Sequence, residues 1–205
     1  MSSRKKTAAA AKPKRAPATV SKPELLVEGS DAEFRALVHD LMAFAHHIEA
    51  CRDGFGAIAG LTGVQYEIFM AVKRFQPDTG REQGGAAPPA GISVGQVAAR
   101  LHRSGAFITL EVNKLVAKGL LAKADDPADG RRVLLSVSKA GEALARTLAP
   151  VQQQVNDVLF ACLDRRRFDK LRALAAELVG CGDRATALID YLASNHPAGA
   201  DSRAA

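Results

Sequence analysis

From Asp31 onward the hydrophobic positions fall at helical spacing. Phe34, Leu37, Val38, Leu41, Ala45 and Ile48 recur at i, i+3, i+4 and i+7. This predicts an amphipathic helix from about Ala32 to near Arg52, with Gly54, Gly56 and Gly60 breaking the chain after it. Leu61-Thr62-Gly63-Val64-Gln65-Tyr66 then has the form of a helix start. Thr62 is the N-cap and Gln65 sits at N3, which makes a capping box. The helix it opens should bury Ile68, Phe69 and Val72 and end near Phe75. Residues 76–91 hold four glycines and three prolines and are expected to form an exposed loop.

The same start recurs at Ile92-Ser93-Val94-Gly95-Gln96-Val97, with Ser93 as cap and Gln96 closing the box. This helix is short, because Leu101-His102-Arg103-Ser104-Gly105 reads as a tight turn. Ser104 caps a further helix with a core face of Ile108, Val112, Leu115 and Val116, and Gly119 stops it at C′. Two helices across a tight turn form a helix-turn-helix. Leu120–Ala124 and Arg132–Val137 are then the strands of a hairpin around a turn rich in Asp, Pro and Gly. A hairpin directly after the second helix makes the motif winged. Ser138 caps a long helix reaching about Leu163. Asp164 starts a last one with apolar positions from Phe168 to Leu192, where Gly180 and Gly182 are candidate kinks. The predicted fold class is mainly α with a small β-hairpin wing. It is a winged helix-turn-helix flanked by long N- and C-terminal helices suited to dimerisation.

Composition sharpens this. Residues 1–30 lack apolar periodicity and are expected to be a disordered basic tail. Residues 31–195 form the folded domain, with the reader core at 61–139, and residues 196–205 form a frayed end. Hydrophobic residues make up 47% of the 205, enough for a core. The net charge of +6 is polarised: residues 1–30 carry +5, residues 93–139 carry +4, and the rest carry −3. Clustered positive charge at a helix-turn-helix points to a polyanionic partner, double-stranded DNA. No uncharged apolar run approaches the roughly 18–20 residues of a membrane span, so no membrane is expected. Three cysteines are too few for a disulfide framework, which suggests a cytoplasmic home. There is no phosphate-cradling glycine loop, nucleophile elbow or paired zinc motif, so neither an enzyme nor a cofactor or metal site is expected.

The segments Leu61–Tyr66, Ile92–Leu101, Ser104–Leu120, Asp129-Gly130-Arg131 and Leu135–Ser138 with Gly141 resemble, in order and spacing, the MarR (multiple antibiotic resistance regulator) family. The resemblance covers about Leu61–Leu148. It implies a homodimeric transcription regulator, by expectation a repressor, on a palindromic operator. It also implies release by a small, aromatic or anionic effector. The chain departs from the family in its longer loop at 76–91, in Phe107 and Leu110, and in its tail.

The helix at 104–118 would then enter the major groove, with the wing at 125–136 beside it. Ser104, Gly105, Ala106, Thr109, Leu110 and Asn113 lie on or beside the face opposite the core. Small residues at the helix start permit a deep approach. Thr109 is placed to donate to a base or phosphate, and Asn113 to pair both edges of an adenine. Leu110 faces either a thymine methyl or the protein, while Phe107 is expected to pack. Asp129 would hold Arg131 in a fixed pose, and Arg131 and Arg132 would reach DNA from the wing. Arg100, Arg103, Lys114 and Lys118 are phosphate-level candidates.

His46, His47, Arg52 and Phe55 are candidates for an effector cleft, where Arg or His suits a carboxylate. Two alternatives remain. One is a metal- or redox-sensing regulator using His46, His47 and Cys51. The other is an architectural DNA-binding protein with little sequence preference.

Overall fold

The computed structural model describes residues 17–75, 91–126 and 129–195, apart from the side chain of Arg131. Residues 76–90 of the loop predicted at 76–91, residues 127–128 of the predicted wing turn, the first sixteen residues and the end at 196–205 lie outside the described residues.

Residues 17–30, grouped with the tail by their composition, are ordered. A 3-10 turn, Pro23–Leu25, precedes an isolated bridge between Val27 and Ser30. The backbone N–H and hydroxyl of Thr19 both donate to Asp31, at 2.8 and 2.7 Å. These two bonds hold the Asp31 carboxyl below the usual carboxylate range. A buried carboxylate twelve residues down the chain is what ties this polar segment to the domain.

Helix α1 (Ala32–Ile58) runs through Gly54 and Gly56 instead of breaking there. It stops at Gly60, whose φ of +67° is left-handed. The N–H groups of Gly60 and Leu61 return to the carbonyls of Ala57 and Gly56, closing the helix end. At Gly56 the α1–α2 corner comes so close that there is little room for a side chain. A Cβ there would sit 3.0–3.1 Å from the carbonyl oxygens of Thr62 and Leu61.

Helix α2 (Gly63–Phe75) opens on the predicted capping box. Gln65 N–H donates to the Thr62 hydroxyl at 3.2 Å, and Thr62 N–H donates to the Gln65 side chain at 3.4 Å. Strand β1 (Ile92–Ser93), a pair of residues without a periodicity of its own, leads into α3 (Val94–Arg100). Next come α4 (Gly105–Ala117), the wing strands β2 (Leu121–Asp126) and β3 (Asp129–Val137), α5 (Lys139–Leu159) and α6 (Arg165–Asn195). The three strands form one antiparallel sheet in the order β1-β3-β2. The sequence predicts α5 to about Leu163, but it ends at Leu159. Asp164 then caps α6 by accepting from Arg167 N–H at 2.7 Å. Helix α6 is unbroken at Gly180 and Gly182.

The chain divides into two compact units, one ending at Leu148 and one beginning at Ala149. In the first, Ile68, Phe69, Ile108, Val112, Leu115 and Leu135 are completely buried. Each side chain of this size stabilises the fold by about 1.5–3 kcal/mol when fully buried. This core seats α2, α4 and the wing on one another. In the second unit, α6 has no buried residue.

Candidate nucleic-acid interface

Two short helices present the site. The Ser93–Gln96 box starts α3, with Gln96 N–H donating to the Ser93 hydroxyl at 3.2 Å and Ser93 N–H to the Gln96 side chain at 2.9 Å. Ser93 also belongs to β1, which pairs with β3 through Ile92↔Leu135 and Ser93↔Leu134. The helix-turn-helix is thereby tied to the root of the wing. Between the helices the chain turns at His102, with φ +48°, and Arg103 N–H donates to the Ala98 carbonyl at 3.0 Å. The Ser104 hydroxyl caps α4 by accepting from Phe107 N–H. Gly119, φ +71°, ends the helix as its position predicts, with Gly119 and Leu120 N–H returning to Val116 and Leu115.

Helix α4 has two unlike faces. Ile108, Val112 and Leu115 are sealed in the core. Gly105, Ala106, Thr109, Leu110 and Asn113 are exposed, Leu110 at 54%. Phe107 does not pack fully and stays 37% exposed. The Thr109 hydroxyl donates to the Gly105 carbonyl at 2.8 Å, so it is already spent within the helix. Asn113 is engaged as well: its side-chain oxygen accepts from Lys123 Nζ of β2 at 2.6 Å.

The cations around α4 divide by direction. Lys114 turns back to Glu111 at 2.6 Å, and Lys118 donates to the Gly60 carbonyl at 3.1 Å. The Arg100 guanidinium lies 3.7 Å over the Phe75 ring. Arg132 is exposed and borders the start of α3, beside Ser93, Val94 and Gly95. Arg131 and Asp129 both lie in β3, but the Arg131 side chain is outside the described residues, and so is any contact between them.

Sequence periodicity does not reveal the polar buttress beneath α4. Gln65 Nε2 donates to Glu111 at 3.0 Å, and both residues are buried. Lys114, then Gln65, hold the Glu111 carboxyl below its ordinary range against the opposing effect of burial. One link of this chain belongs to the α2 cap and the other to α4.

The effector candidates are not gathered into one cavity. Phe55 is buried against Tyr66, their ring centroids 5.7 Å apart. His46 and His47 are exposed on α1. Arg52 pairs with Glu67 at 2.7 Å and lines a polar cleft of about 370 Å³. Glu49, Asp53, Glu67, Leu101 and Arg103 share that cleft, so it reaches the turn of the helix-turn-helix. Among the described residues no group of three or more His, Cys, Asp or Glu side chains is placed to hold a metal ion, and His46, His47 and Cys51 do not form one. Nor is any single helix there long and apolar enough to cross a membrane.

The sealed and open faces of α4, its preceding short helix and the three-stranded wing define a winged helix-turn-helix protein. The MarR family model matches residues 84–132, which contain the two helices and most of the wing. The resemblance read from the sequence is therefore borne out in that segment. The fold agrees over a longer span. The chain is similar to MepR of S. aureus in a MepR–DNA complex, at 15% identity and TM-score 0.54, covering 70% of this chain and 96% of that one. It is similar to wild-type apo MarR of E. coli, at 17% identity and TM-score 0.52, over 69% and 96%. A probable transcriptional regulator from Pseudomonas aeruginosa matches at 24% identity and TM-score 0.51, over 69% and 96%. No curated protein matches the chain in sequence.

Proposed function

We propose that this chain is a ligand-responsive transcriptional regulator, a repressor, that binds a palindromic operator as a homodimer. The observation that carries this is α4. Its inner face is locked into the core and its outer face offers Ala106, Leu110 and Asn113 on a helix capped at both ends. Such a helix has the dimensions and the exposed small residues to enter a major groove. The wing, with Arg131 and Arg132, then lies along the adjoining backbone or minor groove. The exposed apolar stripes of α1 and α6 support association with a second copy. Two readers related by a dimer axis address half-sites about 34 Å apart.

The cleft at Arg52 is the place for the effector. A small carboxylate that draws Arg52 from Glu67 would act beside Arg103, in the turn that sets α4. The test is footprinting on the DNA flanking the gene, with and without small aromatic acids. A symmetric protected site, lost on addition of an acid by the wild type and kept by Arg52→Ala, is the expected result. An asymmetric footprint that no acid disturbs would overturn it.

A further inference from the structure

The sequence assigns Asn113 to an adenine, but the structure gives Asn113 a neighbour that changes what it presents. Its Oδ1 accepts from Lys123 Nζ at 2.6 Å. To read adenine in the usual way an amide must accept from the N6 amino group with that same oxygen while donating to N7. Here the oxygen already faces an ammonium group. The couple therefore presents donors foremost, the Nδ2 hydrogens of Asn113 and the remaining hydrogens of Lys123, and the second lone pair of Oδ1 lies beside the ammonium group. An adenine amino group brought there would meet a cation. The guanine edge carries two acceptors, O6 and N7, and fits.

Lys123 is well placed to act this way. It sits in β2 opposite Leu135, which is completely buried and also pairs with Ile92 of β1. Its backbone is thus held within the edge strand β2 against the central strand β3, while its side chain is exposed and crosses to α4. The other lysines beside α4 are turned away, Lys114 to Glu111 and Lys118 to Gly60. Among the described lysines, Lys123 is the one that reaches an outward residue of α4.

We infer that Lys123 and Asn113 form one donor pair that selects guanine in each half-site, with Lys123 as a specificity-determining residue outside the recognition helix. This rests on the proposal that α4 reads a major groove. The test selects duplexes from a randomised pool with the full-length wild type, Asn113→Ala and Lys123→Ala at fixed salt. The position whose preference disappears in Asn113→Ala marks the contact, and it is expected to be guanine. Replacing that guanine with adenine, or with 7-deazaguanine, should weaken wild-type binding about tenfold or more, the range of a good base contact. The same replacements should change Lys123→Ala binding by less than about twofold, while Lys123→Arg keeps the guanine. Both side chains are exposed, and equal thermal midpoints check that the variants remain folded.

Adenine at the marked position, or discrimination unchanged in Lys123→Ala, would overturn the inference and leave the regulator standing. A loss in Lys123→Ala that is equal on all sequences, with a shallower salt dependence, would also overturn it by making Lys123 a phosphate contact. Failure of the wild type to enrich any motif would overturn the sequence-specific regulator and the inference together.

Discussion

The reader and the long helices solve the problem of apolar surface in opposite ways. Between α2 and β3 the large side chains meet within the chain, and Ile68, Phe69, Ile108 and Leu135 have no exposure at all. Helix α6 is 31 residues long, yet Leu174, Leu188 and Ile189 are each more than half exposed. Helix α1 buries only Phe55 and Gly56 of its 27 residues. The difference teaches where this molecule is complete. The reader closes on itself, whereas the helices carry stripes that single chains rarely leave uncovered. Breaking that stripe should give the largest effect. Leu174→Glu with Leu188→Glu should convert the proposed dimer to the 21.6 kDa single chain in sedimentation, since each buried unpaired charge costs about 3 kcal/mol or more. DNA affinity should fall by at least about a hundredfold as the second half-site is lost. A double variant that remains dimeric would place the self-association elsewhere.

Glycines probe the same contrast more finely. Gly141, at the start of α5, lies where a Cβ would come within 2.6 Å of Val137 Cγ1 and closer still to the Leu120 carbonyl. Gly182 in α6 has nothing within 4 Å of that position. Gly141→Ala should therefore lower stability by about 1–3 kcal/mol, because backbone and wing must shift. Gly182→Ala should raise it by about 0.5–1 kcal/mol, because alanine costs less to order in an open helix. Chemical denaturation of the two variants measures both. A destabilised Gly182→Ala would mean that another helix rests on that point in solution.

The winged fold was legible because its punctuation is chemical. The boxes at Thr62–Gln65 and Ser93–Gln96, the cap at Ser104 and the stop at Gly119 are local signals, and each one forms. The features that could not be read depend on tertiary proximity. Gly54 and Gly56 look like breakers, but α1 passes through them, and Gly56 is needed where α2 folds back. Residues 17–30 look disordered because their anchor, Asp31, lies beyond the polar segment. The outward face of α4 is set by periodicity. The reach of Lys123 to it from β2 is not, since periodicity orders residues around one element and says nothing about contact between two. The Gln65–Glu111 link is hidden for the same reason, 46 positions apart.

Two carboxylates, one in each kind of region, give the smallest and most specific contrast. Glu111 lies in the reader, held by Lys114 and Gln65, and Asp31 stands at the head of α1, held by Thr19 with Arg35 beside it. Both are lowered in the folded chain. The unfolded chain therefore takes up protons first as the solution is acidified, Glu111 near 4.5 and Asp31 near 3.8. Their stabilising contribution is full above those values and disappears as the pH falls through the lower folded ones. Glu111→Gln keeps the shape but cannot titrate. The variant should be less stable than the wild type at pH 7, and the gap should narrow below about pH 4.5. Asp31→Asn should instead act locally, on residues 17–30, with an effect that fades at slightly lower pH. Its loss should open residues 17–30 to amide exchange without lowering the unfolding midpoint of the core, because Thr19 and its neighbours contribute little buried surface. If Glu111→Gln instead kept a constant deficit from pH 7 to pH 3, the buttress beneath α4 would be held by shape and not by charge.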